Sequence, residues 1–265
     1  MTELGKHYYL LRLSFLGFRF QGWQQQPGVK SIEGMVQKTL GFVLPGRSVK
    51  LLGAGRTDAR VSANHFAAQL LLKGKPLAGL PEFVEEMNRN LPADILLESA
   101  IPVAKDFNAI RDSNSKTYRY YFCFGSKPHP YCAPFLGYFP GPLDLERMID
   151  GAALFIGTHN FKGFIAQPSP ATLLIREIIS CEVRHNTALT ASFFPKNTYY
   201  LEITGPGFGR YQVRLMMAAL VALGRGEVDE EALRDALLNG ISPPVKRIAP
   251  ASGLHLTDVQ MDLSM

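Results

Sequence analysis

The chain has 265 residues, of which 46% are hydrophobic, 11% aromatic and 19% charged, a balance that builds a buried core and excludes a disordered or low-complexity protein. Its 28 Lys and Arg against 23 Asp and Glu give a net +5, which suits a polyanionic partner without requiring one. Three scattered cysteines, six histidines without metal-ligand spacing and the lack of any secretory pattern or membrane-length apolar run argue against a disulfide scaffold, a metal centre and a membrane protein, and a cytoplasmic location is expected.

Residues 7–16, dense in Tyr, Leu and Phe, read as a strand. Ser31 is an N-cap for a helix through Leu44, with Ile32, Met35, Val36, Leu40 and Val43 at helical spacing. Strands follow at 49–54 and 63–72, then a helix over 81–91 with Phe83, Val84, Met87 and Leu91 on one side, then a strand at 94–101. This β-α-β-β-α-β order is that of the ferredoxin-like split unit. It nearly repeats, without sequence similarity between the copies. A strand at 117–124 leads to a helix over 143–156 carrying Leu145, Met148, Ile149, Ala152 and Ala153. Strands at 174–184 and 198–204, a helix at 211–223 and a last strand at 254–263 complete it, with an extra helix at 230–238. The expected class is α+β with two ferredoxin-like halves, 1–104 and 105–265. The stretch 103–115 is neither Gly- nor Pro-rich, so the halves are expected to be fused, not tethered.

Three segments could carry chemistry. The run Gly53-Ala54-Gly55-Arg56-Thr57-Asp58-Ala59 joins two predicted strands. Its glycines permit tight turns and close approach of a substrate; Asp58 either caps its own turn or supplies a reactive carboxylate. It lacks the third glycine of a dinucleotide fingerprint and the Gly-Lys-Ser/Thr of a phosphate loop. The strand Ser115-Lys116-Thr117-Tyr118-Arg119-Tyr120-Tyr121-Phe122 alternates so that Lys116, Tyr118 and Tyr120 share one face and Thr117, Arg119 and Tyr121 the other. Aromatic rings beside cations suit unpaired bases, and equally suit the rim of an ordinary core. Finally, Arg214 leads the apolar run Leu215-Met216-Met217-Ala218-Ala219-Leu220, where it is either a rim residue with its charge in water or the partner of a carboxylate.

In this order and spacing the chain resembles the tRNA pseudouridine synthase A family. Gly55-Arg56-Thr57-Asp58-Ala59 with Val61 and Ala63 is similar to that family's signature around a catalytic aspartate. Gly22-Trp23-Gln24, Asn90-Leu91-Pro92-Ala93-Asp94-Ile95, Lys116-Thr117-Tyr118-Arg119-Tyr120, Gly157-Thr158-His159-Asn160-Phe161 with Phe164, Ile175-Arg176-Glu177-Ile178, and Gly253, Leu254 and Leu256 resemble further landmarks in chain order. The departures are Arg60 and Ser62, where the family usually has Gly and His; Ile110, where it tends to have Arg; Asn160 in place of Asp; and Gly209, Arg210 and Gln212 in a segment that is more apolar there.

The resemblance implies a central catalytic cleft, conversion of uridine to pseudouridine at positions 38 to 40 of the tRNA anticodon arm, no cofactor or metal, and a homodimer. It implies Asp58 as the carboxylate acting at the sugar, Arg214 as its counter-charge and Tyr118 as the ring against the uracil. Arg56, Val213 and Arg119 are the expected substrate-binding residues. Two other readings stay open at this point. One is a catalytically weak tRNA-binding or chaperone protein on the same fold, to which Arg60, Ser62 and Ile110 point. The other is an aspartate-dependent hydrolase or phosphotransferase for small molecules.

Overall fold

The computed structural model describes residues 5–243, 245 and 247–263. By its internal contacts the chain forms two units: one takes in residues up to Asn114 and again from Leu256, the other Ser115–His255.

In the first unit β1 (Lys6–Phe15) has buried Tyr9, Leu10 and Leu11 in succession, as expected of a strand covered on both faces. α1 (Ile32–Val43) begins where the Ser31 side chain accepts from Gly34 N, and buries Ile32, Val36 and Leu40. β2 (Val49–Gly53), β3 (Ser62–Lys73), α2 (Leu80–Asn90) and β4 (Ile95–Pro102) follow. α2 starts at a Pro in its first turn and buries Phe83 and Met87. The strands pair antiparallel in the order β4-β1-β3-β2. That is ferredoxin order, obtained because each crossover helix returns its strand beside a non-neighbour. The last strand, β11 (Leu254–Met261), lies beside β3 from Leu256 on, and the Arg12 guanidinium on β1 donates to Val259 O at 2.7 Å.

The second unit holds β5 (Ser113–Gly125, from Ser115), β6 (Gly137–Pro140), α3 (Leu145–Ala153), β7 (Gly157–Asn160), β8 (Ile175–Ile178), β9 (Ser180–His185), β10 (Thr198–Gly205), α4 (Gln212–Gly224) and α5 (Glu230–Asn239). β10 is flanked antiparallel by β5 and β9, and β6 runs parallel on β5. α4 is buried along nearly its whole length, which is why its sequence is apolar on every side. The molecule is α+β, as the element order predicts.

The region 174–184 is not one strand. β8 pairs with β7 in a separate two-stranded ribbon, and β9 joins the main ladder only from Ser180, opposite Thr204. Between them Ile179 is exposed and its N donates to Thr204 O at 2.8 Å, a hinge that turns β8 out of the sheet. The four-residue strands β6 and β7 are absent from the sequence reading, being too short to give a period.

Candidate active site

The loop between β2 and β3 carries Arg56 and Asp58, and its backbone is held by two bonds from the segment 20–23 and one of its own. Trp23 N donates to Thr57 O at 3.2 Å, Arg60 N to Phe20 O at 3.0 Å, and Val61 N to Asp58 O at 3.2 Å. Gly22, at φ 91, lies so close that a Cβ there would run into Thr57 O. Trp23 is buried and stacks on Phe66 with centroids 4.0 Å apart; a Cβ on Gly53 would stand 2.6 Å from its indole nitrogen. The Gly22-Trp23 pair is thus the brace of the aspartate loop, which gives that early sequence landmark a physical reason. On this frame Asp58 is half-buried and Arg56 exposed.

In the second unit β5 splits its side chains as the alternation requires. Tyr118 meets Phe208 edge-on at 5.2 Å, and the Tyr120 hydroxyl donates to Pro250 O at 2.8 Å. Burial pushes the Tyr120 phenol far above its ordinary range, so it stays a donor. On the other face Thr117 meets Thr204 hydroxyl to hydroxyl at 2.9 Å. Arg119 donates to Glu202 at 2.5 Å while its guanidinium lies 4.8 Å from the Tyr200 ring centre. Arg119 is therefore turned away from Tyr118 and engaged within the sheet.

The turn from β10 into α4 holds Val213 and Arg214. The Gln212 side chain accepts from Gly209 N at 2.7 Å, and a Cβ on Gly209 would press on Ile165 at 2.6 Å, so two of the three departures from an apolar pattern here, Gly209 and Gln212, are structural. Val213 is buried. Arg214 donates from Nε to Ala249 O at 2.8 Å and lies 4.9 Å over the Tyr211 ring, with Arg210 at 5.0 Å from the same ring. Tyr211 itself has φ 61. The only other non-glycine residues with positive φ among those described are Arg60 (φ 68) and Gln167 (φ 49), the latter bonded to Arg210 at 2.7 Å. Two of these three positions, Arg60 and Tyr211, lie in the aspartate loop and the arginine turn, and the third, Gln167, is tied to that turn through Arg210.

Tyr118 and the Arg214 turn come together through Phe208, while Asp58 and Arg56 belong to the other unit. Sequence reasoning gave no role to Phe208, Tyr211 or Arg176, whose surroundings are made by residues far apart in the chain. Among the described residues no group of His, Cys, Asp and Glu has a metal-binding arrangement, and no helix is long and apolar enough to cross a membrane. Cys123, Cys132 and Cys181 are buried thiols, and that burial pushes all three above the usual thiol range, which makes them poor nucleophiles.

A family profile described as tRNA pseudouridine synthase matches residues 152–262. The tRNA pseudouridine synthase A of Limosilactobacillus fermentum is 31% identical over 262 residues, covering 97% of this chain and 96% of its own. The chain belongs to the tRNA pseudouridine synthase A family. The proteins of that name from Geotalea uraniireducens and Pelobacter propionicus are 30% and 32% identical, each over 94% of this chain and 97% of its own length. Against the tRNA pseudouridine synthase A pattern, the departures Arg60, Ser62 and Asn160 have local explanations. Arg60 occupies a left-handed backbone position, the kind a glycine fills without strain. Ser62 Oγ is buried and accepts from Gly17 N at 3.0 Å. Asn160 caps a short 3-10 turn by accepting from Lys162 N at 3.1 Å, as an aspartate would. Ile110 is exposed and takes no part in the core.

Proposed function

We propose that this protein is a tRNA pseudouridine synthase, isomerising uridine to pseudouridine in the anticodon arm, at positions 38 to 40 as the family pattern implies. The observation that carries this is family membership over 97% of the chain, with the aspartate signature on a loop whose backbone is held rigid by Gly22 and Trp23. The reaction breaks the N1–C1′ bond, turns the uracil and joins C5 to C1′. The C5 proton leaves and N1 gains one, so nothing is added overall and no redox or group-carrying cofactor is called for.

In this reading Asp58 supplies the carboxylate that acts at the sugar as the glycosidic bond breaks, a task for which glycoside cleavage also recruits carboxylates. An ionised aspartate in a closed site requires a cation, and Arg214 is its proposed partner. Tyr118 stacks on the uracil and relays the C5 proton, and Val213 walls off water from the detached base. The target base must leave its stack, and exposed Arg56 is assigned to displacing it and holding phosphate. Arg119 keeps a narrower role: tied to Glu202, it fixes the Tyr118 strand rather than meeting RNA directly. A cytoplasmic homodimer completes the proposal.

The test is position-resolved detection of pseudouridine after unmodified tRNA is incubated with the pure protein and with Asp58→Asn. Conversion by the parent, and background conversion by Asp58→Asn with tRNA affinity kept, is expected, because phosphate contacts come from other residues. Binding without product in several tRNAs would turn the assignment to a tRNA chaperone. Near-parental turnover in Asp58→Asn would make the aspartate a turn former. Sedimentation as a monomer at working concentration would remove the dimer.

A further inference from the structure

Lys116 and Arg176 form a pair of cations without a counter-charge. Lys116 stands opposite Gly205 in the β5–β10 ladder, so its side chain rises on the same face as Tyr118, beside a residue with no side chain of its own. β8 closes over that spot: a Cβ on Gly205 would lie 2.9 Å from Glu177 O and 3.4 Å from the Phe208 ring. Arg176, on β8, points a guanidinium nitrogen toward Gly207, 3.7 Å from where a Cβ would be. Among the described residues neither Lys116 nor Arg176 has an ion-pair partner or a side-chain hydrogen bond, and the buried Arg176 Nε has no hydrogen-bond partner there. The neighbours that might have served are committed elsewhere. Glu177 alternates to the exposed opposite side of β8, and His159, opposite Arg176 on β7, donates to Ile156 O at 2.9 Å.

Two like charges in a half-buried place cost free energy unless an anion joins them. Burial lowers the basicity of both groups, and for Lys116 the Arg176 charge adds to the effect, as expected of cations short of a partner. The site presents a point charge and a planar fork, the combination that suits phosphate oxygens, with no side chain at Gly207 to intrude on the fork. Its place on the strand supplies the context. Lys116 and Tyr118 are alternate residues on one face, roughly 6.6 Å apart along the strand, about the reach from a base to a neighbouring phosphate.

We propose that Lys116 and Arg176 hold a backbone phosphodiester next to the nucleotide whose base meets Tyr118. The proposal rests on the tRNA reading above and names a further substrate-binding site within it. It makes the two cations positioning groups, fixing the sugar–phosphate while the base turns.

The test uses the whole protein with Lys116→Met and Arg176→Met, which keep chain length and lose charge, and with Lys116→Arg and Arg176→Lys. Three quantities are read: thermal midpoint without RNA, the slope of log affinity for tRNA against log salt, and single-turnover pseudouridine formation at saturating protein. Each Met variant is expected to melt no lower than the parent, because it removes an unpaired cation. Each should also lose about 0.7 from the salt slope, as for one single-strand phosphate contact, and turn over more slowly; the charge-keeping variants should recover the slope. A fall in melting temperature with an unchanged salt slope would make both residues structural and end the proposal. Stabilisation of the parent, but not the Met variants, by inorganic phosphate, again with no change of slope, would assign the pair to small phosphates instead of RNA. Pseudouridine formation by the parent with unchanged slopes would overturn this site and leave the synthase reading intact. Reduced slopes in the Met variants with no pseudouridine from the parent would support the site and overturn the synthase reading.

Discussion

Arg60 sits at φ 68, where a Cβ crowds the following carbonyl at roughly 1–2 kcal/mol, and its guanidinium lies 5.7 Å over the exposed Phe18 ring. Arg60→Gly and Arg60→Ala both lose the ring contact, but only glycine relieves the backbone. Glycine should therefore be the more stable of the two by about 1 kcal/mol in urea melts, the reverse of the usual order at right-handed positions. Equal stabilities would mean that the left-handed backbone carries no strain. His255 gives a pH signature of its own. Burial between Tyr121 and the Phe135 carbonyl draws its imidazole down to about 4 from 6.5. Between those values the unfolded chain is protonated and the folded chain is not, so the unfolded state binds more protons and stability rises with pH. The contribution is fully present above pH 6.5 and is lost as pH falls toward 4, by about 3 kcal/mol. His255→Gln should flatten the change of unfolding free energy with pH across that window; an unchanged slope would assign the acid sensitivity to other groups.

At the scale of elements, the aspartate loop owes its shape to another segment. Gly22 holds φ 91 against Thr57 O, so Gly22→Ala imposes both backbone strain and a clash, and the loop has to shift. Turnover should fall at least tenfold while tRNA affinity changes little, because a misplaced carboxylate harms the reaction more than the phosphate contacts. Unchanged single-turnover rates would show that the brace does not orient Asp58. The sequence alone made much of this legible. The Ser31 cap, the ferredoxin order of the first unit and the two faces of β5 follow from local pattern, and the aspartate segment follows from its glycines. What escaped was decided by distant partners. The alternating 174–184 looks continuous because both pieces are strand-forming; only the choice of partner, β7 for one and β10 for the other, breaks it at Ile179. Arg119 shares a strand with Tyr118, yet Glu202, 83 residues away, captures it. The charge pairing of Lys116 and Arg176 likewise depends on β8 leaving the sheet, which no window on either residue could reveal.

For the molecule as a whole, the net +5 and the assigned chemistry predict opposite responses to ions. Affinity for tRNA should drop steeply as salt rises, since phosphate neutralisation releases counterions. The isomerisation itself joins and breaks bonds within one nucleotide, and in the proposed mechanism its carboxylate and counter-charge are supplied by the protein. Once tRNA is saturating, the single-turnover rate should therefore change by less than about twofold over a salt range that shifts affinity by on the order of a hundredfold or more. Metal removal extends the argument. With substrate folded in monovalent salt and the protein treated with chelator, pseudouridine should form at the untreated rate, because the proposed Asp58, Tyr118 and Arg214 need no Lewis acid to act on the glycosidic bond. The measurement is rapid-mixing formation of pseudouridine at several salt concentrations, with and without chelator. A saturated rate that falls with affinity would mean that ionic contacts are made in the transition state and not only in binding. A rate abolished by chelation and restored by one divalent ion would place a metal in the reaction, and the carboxylate of Asp58 would have to be reconsidered as its ligand.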